Sequence, residues 1–592
     1  MNGCHNHNSL LLQQKLPTSI WNEAEVCGQF VIHKVGSQDG LHHQAFGTQK
    51  DFQQLALLNT IKACGRERNL SKGSTLHALL LKRGLLTKDM YAGTALLCMY
   101  ARCGALAKAQ EVFYDLPTRD VAAWNALISA FAQHGLGHQA LGCFAHMLDD
   151  GHSPDEVTFV CILKACASIG AAEKGEEIHA EVQRQGLLKR NAVLGTALVD
   201  MYGKCGVLAR AQEVFDELPL QDVVSWNALI AGYAQHGFGV EALNCYQQML
   251  DRGATPNGAT FACVLKACSN TRAAAMGKEI HAEVCKQGLL ERNIVLATAL
   301  VDMYAKFGAV AKAQEVFDEL LERDVASWNA LISGYAQNEL GEEALNQFGR
   351  MQEECIPPDS VTFLCALKAC GSIGAAEKGK DIHDKVSKQL LMEKNIELGN
   401  ATVDMYAKCG ILDKAQEVFD RLGVRTVSSW NALIAGYGQL GKVEKVFDLF
   451  SRMVGHLKPD EITFIVLLTA CSHEGLLNEG QKHFDSMSTD HCIMPTLDHH
   501  ACMIDLFSRA GHVDKAVCTI NEVPNSDKLI LCSVLLGACQ KGANLELGRW
   551  VFERALHLDD QFAAGYVYMS NIYADADRQE EMGKFQAFGS ED

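Results

Sequence analysis

Residues 222–237 read DVVSWNALIAGYAQHG. The same phrase stands at 120–135 as DVAAWNALISAFAQHG, at 324–339 as DVASWNALISGYAQNE and at 426–441 as TVSSWNALIAGYGQLG. The interval is 102 residues each time. Self-similarity at a fixed period is the signature of a repeat architecture. Inside the phrase, Trp124, Leu127, Ile128 and Phe131 fall at i, i+3, i+4 and i+7, one face of a helix. Gly135 follows as a natural stop.

Outward from the phrase, the period divides into unequal units. They run 120–154, 155–190 and 191–221, with lengths of 35, 36 and 31 residues. The division recurs at 222–256, 257–292 and 293–323, and again at 324–358, 359–394 and 395–425. Each unit reads as a helical hairpin. Ala140, Leu141, Phe144, Met147 and Leu148 form the second stripe of the 35-residue unit. Phe159, Ile162, Leu163 and Cys166 repeat the spacing in the 36-residue unit, and Leu208, Ala211, Phe215 and Leu218 in the 31-residue unit. A lone hairpin of this size cannot cover its apolar face, whereas stacked neighbours can. The expected fold is therefore all-α, a solenoid of helix-turn-helix repeats.

Composition narrows the function. Apolar residues make up 48% of the 592, enough for a large core, and proline is scarce at ten. No stretch approaches the ~18 continuous apolar residues of a membrane span. The net charge of −18 makes the chain a poor general polyanion binder, so any nucleic-acid site must be local and lie in a groove. The many acids of second helices, as in KAQEVFDEL (312–320), read as a solvated outer face. The 23 cysteines include no two spaced three apart. Cys64, Cys166, Cys268 and Cys370 recur at the period, and so do Cys103, Cys205 and Cys409, but the missing copy of the second set is Phe307. Phenylalanine cannot replace a thiolate ligand but can fill a packing slot, so the cysteines read as buried and reduced.

At this point the residues resemble a known family. VVSWNALIAGYAQHGFGVEALNCYQQMLDRGATP (223–256) resembles the 35-residue pentatricopeptide repeat. ATFACVLKACSNTRAAAMGKEIHAEVCKQGL (259–289) resembles its long variant, and TALVDMYAKFGAVAKAQEVFDELLERD (298–324) its short variant. Their alternation is similar to the plant PLS subfamily and implies a right-handed α-solenoid superhelix. About fourteen repeats cover 53–526, the last resembling the terminal short motif in LDHHACMIDLFSRAGHVDKA (497–516). Residues 527–592 resemble E-type motifs, the second truncated before the point where many relatives continue into a cytidine-deaminase-like DYW domain. Residues 1–52 are read as a disordered segment or weak targeting peptide, with a His-rich start that could bind metal only loosely.

No catalytic chemistry is expected of the chain itself. His179-Ala-Glu181 and His281-Ala-Glu283 have the HxE form of zinc deaminases, but the other copies read His383-Asp-Lys385 and His77-Ala-Leu79. A catalytic acid does not become Lys or Leu. GxxxxGK[ST] and GxSxG are also absent from the sequence. Neither a catalytic residue, a metal site nor a cofactor is expected.

The groove is where function is expected. Counting from the residue after the opening one, position five is Asn125, one step off the apolar stripe and able to line a groove. Asn is a poor mid-helix residue, yet it recurs at 227, 329 and 431. The resemblance implies that each repeat reads one base with its fifth and last side chains, N-terminus to 5′ end. The 35-residue units supply Asn125/Asp155, Asn329/Asp359 and Asn431/Asp460, favouring U, and Asn227/Asn257, favouring C. The short units supply Thr94/Asp120, Thr196/Asp222 and Thr298/Asp324, favouring G, and Asn400/Thr426, a weakly read pyrimidine. The long units carry apolar Val160, Ala262 and Leu364 at position five and are unspecified. The implied target is G-U-x-G-C-x-G-U-x-Y-U. Second-position Ala122, Val193, Val224, Val295 and Ala326 would sandwich the bases, with Glu397 and Ser428 departing.

The resemblance implies a partner, single-stranded organellar RNA, and a role as site-recognition factor in C-to-U editing. A DYW-type deaminase or other editing factor would act in trans, and no membrane is involved. The implied compartment is the mitochondrion, with the chloroplast as alternative. Competing expectations are transcript stabilisation without editing, and a protein scaffold.

Overall fold

The computed structural model describes residues 49–575 apart from 83, 85–89, 189, 291–292, 390, 542–544 and 560–561. The expectations for 1–48, including the His-rich start, and for 576–592 lie outside the described residues.

From Asp120 to Asp460, the opening residue of each unit starts a helix by capping it. Asp120 accepts from the Ala123 N–H at 2.8 Å, and helix Val121–Gln133 begins there. Asp222, Asp324 and Asn191 cap Val223–Gln235, Val325–Gln337 and Ala192–Lys204 in the same way. Many first helices end at or just before a left-handed residue. Gly135 has φ of 72°, and Gly170 closes Glu156–Ile169 at φ 68°. Glycine takes this conformation without a Cβ clash. Arg272 holds the same position at φ 54°, a conformation costly for a side chain with a Cβ.

The chain forms two compact units, 1–287 and 288–592. The first runs from the hairpin Gln49–Arg66 and Leu70–Lys82 to the hairpin Gly258–Thr271 and Ala274–Lys286. The second runs from Ile294–Lys306 and Val310–Asp318 to Asn525–Lys541 and Leu545–Leu556, followed by Ala563–Asp575. Within each unit, a first helix packs on its hairpin partner and on the first helix of the next repeat. The second helix also packs on the following first helix. This is the expected all-α solenoid of helix-turn-helix repeats. No described helix is long and apolar enough to cross a membrane.

The core sits between layers. Trp124, Leu127, Ile128 and Phe131 are all buried, as are Phe159, Ile162, Leu163 and Cys166. The tryptophan of each 35-residue repeat stacks edge-on against a phenylalanine of the preceding short repeat. Phe113 meets Trp124 at 4.6 Å between ring centroids, Phe215 meets Trp226 at 4.5 Å and Phe419 meets Trp430 at 4.7 Å. Such pairs add ~0.5–1.5 kcal/mol beyond burial. Three expectations need correction, the first being Leu141, which is only half-buried. Leu148 is 46% exposed, because it lies one step past Met147 on the solvent side of its helix. Leu208 is only half-buried, at the first turn of a nine-residue helix.

Cys64, Cys166, Cys268 and Cys370 are buried and Cys103, Cys205 and Cys409 half-buried, whereas Cys285, Cys355, Cys492 and Cys518 are exposed, which corrects the expectation of burial there; every described cysteine is a free thiol. Burial pushes the Cys166 thiol up to about 11, so it stays protonated near neutral pH. His179 is a packing residue: its ring Nδ1 lies 3.0 Å from the Tyr202 hydroxyl, and Glu181 pairs with Arg184 along the helix. His77–Tyr100 at 3.0 Å and His383–Tyr406 at 3.1 Å repeat the contact.

Candidate functional site

First helices supply one wall of side chains in each unit. In the second unit, a cleft of about 470 Å³ is lined by Leu364, Lys368, Glu397, Asn400, Ser428 and Asn431, among others. All six come from first helices, Ser360–Ile373, Ile396–Lys408 and Val427–Gln439. Leu364, Asn400 and Asn431 are fifth-position residues of three successive repeats. The structure therefore brings fifth positions together on one face.

The fifth and last residues of a 35-residue repeat also meet each other. Asn125 Nδ2 donates to Asp155 Oδ1 at 2.9 Å, Asn329 Nδ2 to Asp359 Oδ1 at 3.0 Å and Asn431 Nδ2 to Asp460 Oδ1 at 3.0 Å. The aspartate is at the same time the N-cap of the next helix. Asp155 Oδ1 accepts from the Thr158 N–H at 2.8 Å. Thr158 Oγ1 then donates to Asn125 Oδ1 at 2.6 Å, which closes a three-residue bracket. Thr362 and Thr463 close the same bracket in their copies, at 2.6 and 2.8 Å. The sequence reading missed these threonines, although D-x-x-T ahead of an apolar run is a capping signal.

The bracket changes what each side chain offers. Asn125 is only 7% exposed and Asn431 only 6%, so neither stands open in a groove as position five alone suggests. Hydrogen bonds to the neighbouring cap draw both inward. The last residue is the more outward member: Asp155, Asn257 and Asp359 are exposed and Asp460 half-buried. Burial raises the Asp155 carboxyl, but hydrogen bonds from Thr158 and Asn125 outweigh it and hold the group below the usual carboxylate range. Asp359 and Asp460 are held low by the same balance. They are charged acceptors at neutral pH.

The fourth bracket differs. Asn227 Nδ2 donates to Asn257 Oδ1 at 3.2 Å, and Oδ1 also accepts from the Thr260 N–H at 3.0 Å. With its oxygen engaged, Asn257 turns its amide NH2 outward, where the other copies hold a carboxylate oxygen. In the first short repeats the last residues Asp120 and Asp222 accept from the backbone N–H of Ala123 and Ser225 at 2.8 Å. Asp324 accepts from Ser327 N–H at 2.8 Å, and buried Thr298 Oγ1 has no hydrogen-bond partner among the described residues. Thr94 and Thr196 are half-buried at the equivalent places. Asn400 Nδ2 donates to Thr426 Oγ1 at 3.0 Å, an uncharged version of the pair.

Second-position residues stand outside this layer. Val193, Val224 and Val295 are exposed, with Ala122 and Ala326. The structure adds Tyr91, Val157, Val361 and Ile462 to this exposed apolar row. Apolar side chains held in water one turn from hydrogen-bonding pairs suit flat, stacked ligands. Glu397 and Ser428 interrupt the row and line the cleft of the second unit. No group of three His, Cys, Asp or Glu among the described residues is placed to hold a metal ion.

The PPR repeat family matches residues 119–168, 221–270, 323–372 and 425–489, and a single PPR repeat matches 295–325. A chloroplastic pentatricopeptide repeat-containing protein of Arabidopsis thaliana is 35% identical over 88% of this chain and 64% of its own length. This chain thus spans slightly less than two thirds of that relative. A mitochondrial pentatricopeptide repeat-containing protein of the same plant is 34% identical over 88% of this chain and 76% of its own. Among solved structures, the pentatricopeptide repeat protein PPR10 from maize is 19% identical. It covers 96% of this chain and 92% of its own, with a TM-score of 0.45.

Proposed function

The chain belongs to the pentatricopeptide repeat family, and from that premise we propose that it binds single-stranded RNA by sequence, one repeat to one base. The observation that carries this is the difference between Asn257 and its three aspartate counterparts. Uracil presents an N3–H donor on its Watson–Crick edge and cytosine an N3 acceptor. A carboxylate oxygen of Asp155, Asp359 or Asp460 suits the first, and the outward amide NH2 of Asn257 suits the second. The asparagine, buried at 125 and 431 and half-buried at 227 and 329, holds the last residue in place and, through its second Nδ2 hydrogen, offers one further donor. The exposed second-position valines and alanines pack against the faces of the base. Repeats in the first unit then read G-U-x-G-C-x, and those in the second G-U-x-Y-U.

The role we assign is site recognition in organellar C-to-U editing. The array selects the transcript, and the tail beyond 526 recruits a deaminase of the DYW type that supplies the chemistry in trans. The compartment assigned is the mitochondrion, with the chloroplast as alternative. Relatives carrying either label support an organelle without choosing between them. The test uses the full chain and two RNAs of equal length, one with the string G-U-x-G-C-x-G-U-x-Y-U and one with it shuffled. Tighter binding of the first supports the reading. Equal affinity removes both editing and sequence-directed processing, and leaves a protein scaffold.

A further inference from the structure

The two units carry copies of one cleft with opposite charge. The copy in the first unit, about 590 Å³, includes Leu58, Lys62, Tyr91, Thr94, Ala95 and Cys98 in its lining. The residues 306 positions later are Leu364, Lys368, Glu397, Asn400, Ala401 and Asp404, and all six line the cleft of the second unit. Two carboxylates of the second cleft, Glu397 and Asp404, are thus Tyr91 and Cys98 in the first. Arg66 and Arg102 also line the first cleft. Asp404 neutralises Lys408 across 2.8 Å, whereas Arg102, the counterpart of Lys408, has Cys98 one turn back in place of that acid. Lys62, Arg66 and Arg102 make no ion pair among the described residues. Among its described lining residues the first cleft therefore holds three cations and no carboxylate, in a chain of net charge −18. Tyr91 stands at its rim with 78% of its surface exposed.

We propose that this cleft is the sequence-blind anchor of the RNA site. A base stacks on the Tyr91 ring, and Lys62, Arg66 and Arg102 take the phosphates on either side of it. The assignment rests on the RNA-binding reading above and adds to it where affinity, as opposed to discrimination, comes from. An aromatic face accepts any base, and guanidinium and ammonium groups read only phosphate. The chain carries a net charge of −18 that repels a polyanion, so a basic cleft with no ion-paired cation among the described residues draws the strand to itself.

The test measures binding of the full chain to the matched RNA and to its shuffled counterpart over a range of salt. Each phosphate contact to a single strand contributes about 0.7 to the slope of log affinity against log salt. The triple variant Lys62→Gln, Arg66→Gln, Arg102→Gln is expected to flatten that slope by about 2 and to weaken both RNAs by the same factor. Tyr91→Ala is expected to lose roughly tenfold on both RNAs with the slope unchanged. The double variant Tyr91→Glu, Cys98→Asp installs the side chains that the same fold already carries at 397 and 404, and should weaken both RNAs as well. An unaltered slope in the triple variant, with the parent chain still preferring the matched RNA, would overturn the anchor and leave the base-reading proposal standing. Failure of the parent chain to bind either RNA would overturn both.

Discussion

Asn227 and Asn257, thirty residues apart in the chain, share a hydrogen bond of 3.2 Å that turns the Asn257 amide outward as a donor. The equivalent bond from Asn125 to Asp155 leaves a carboxylate oxygen outward as an acceptor. One substitution should therefore interchange the two. Asn257→Asp is expected to move the preferred base at the fifth place of the string from C to U. A bidentate base contact is worth ~1–3 kcal/mol, so the ratio of affinities for the C and U versions should reverse by roughly tenfold or more. Binding of both RNAs to both proteins measures it. An unchanged preference would show that the assigned register is wrong.

Asp155 serves two elements at once, as cap of Glu156–Ile169 and as partner of Asn125. Asp155→Ala removes the cap and leaves buried Asn125 Nδ2 short of an acceptor. The expected loss is about 1–3 kcal/mol, from capping and from the unsatisfied amide together. Asp155→Asn keeps both hydrogen bonds, as Asn257 does in its copy, and should cost much less. Urea unfolding of the two variants separates these outcomes.

Arg272 occupies a left-handed position that glycine holds at 170, 374 and 475. The conformation costs a side chain with a Cβ ~1–2 kcal/mol, part of which glycine returns as extra freedom in the unfolded chain. Arg272→Gly is expected to raise stability by about 0.5–1 kcal/mol. A lower melting temperature for this variant would mean that the arginine makes up the strain elsewhere.

Burial pushes the imidazoles of His77, His179 and His383 below their ordinary value. Their folded forms favour the neutral ring, so the unfolded chain binds more protons as pH falls. The stability they contribute is complete above the unfolded value near ~6.5 and is lost below it. Asp155, Asp359 and Asp460 are also depressed, so their contribution is complete above ~4 and is lost below that. The urea midpoint should therefore be flat from about pH 7 to 8, decline from about pH 6.5 and fall again below about pH 4. His179→Gln should reduce the first decline.

What the sequence by itself determined was the period, the three unit lengths and the buried stripe of each first helix. A helix turns about 100° per residue, so the spacing of Trp124, Leu127, Ile128 and Phe131 settles their common face with no knowledge of neighbours. The packing role of the periodic cysteines was legible too, because Phe307 stands where Cys103, Cys205 and Cys409 stand, but the exposure of Cys285, Cys355, Cys492 and Cys518 was not. Tertiary structure alone decided that Asn125 is drawn inward by Asp155 and Thr158, that Leu148 faces solvent, and that Lys62, Arg66, Tyr91 and Arg102 share a cleft with no acid among its described lining residues. Those relationships join residues of different helices. They depend on crossing angle and register between layers, which every packed side chain sets jointly and no single stretch of sequence encodes.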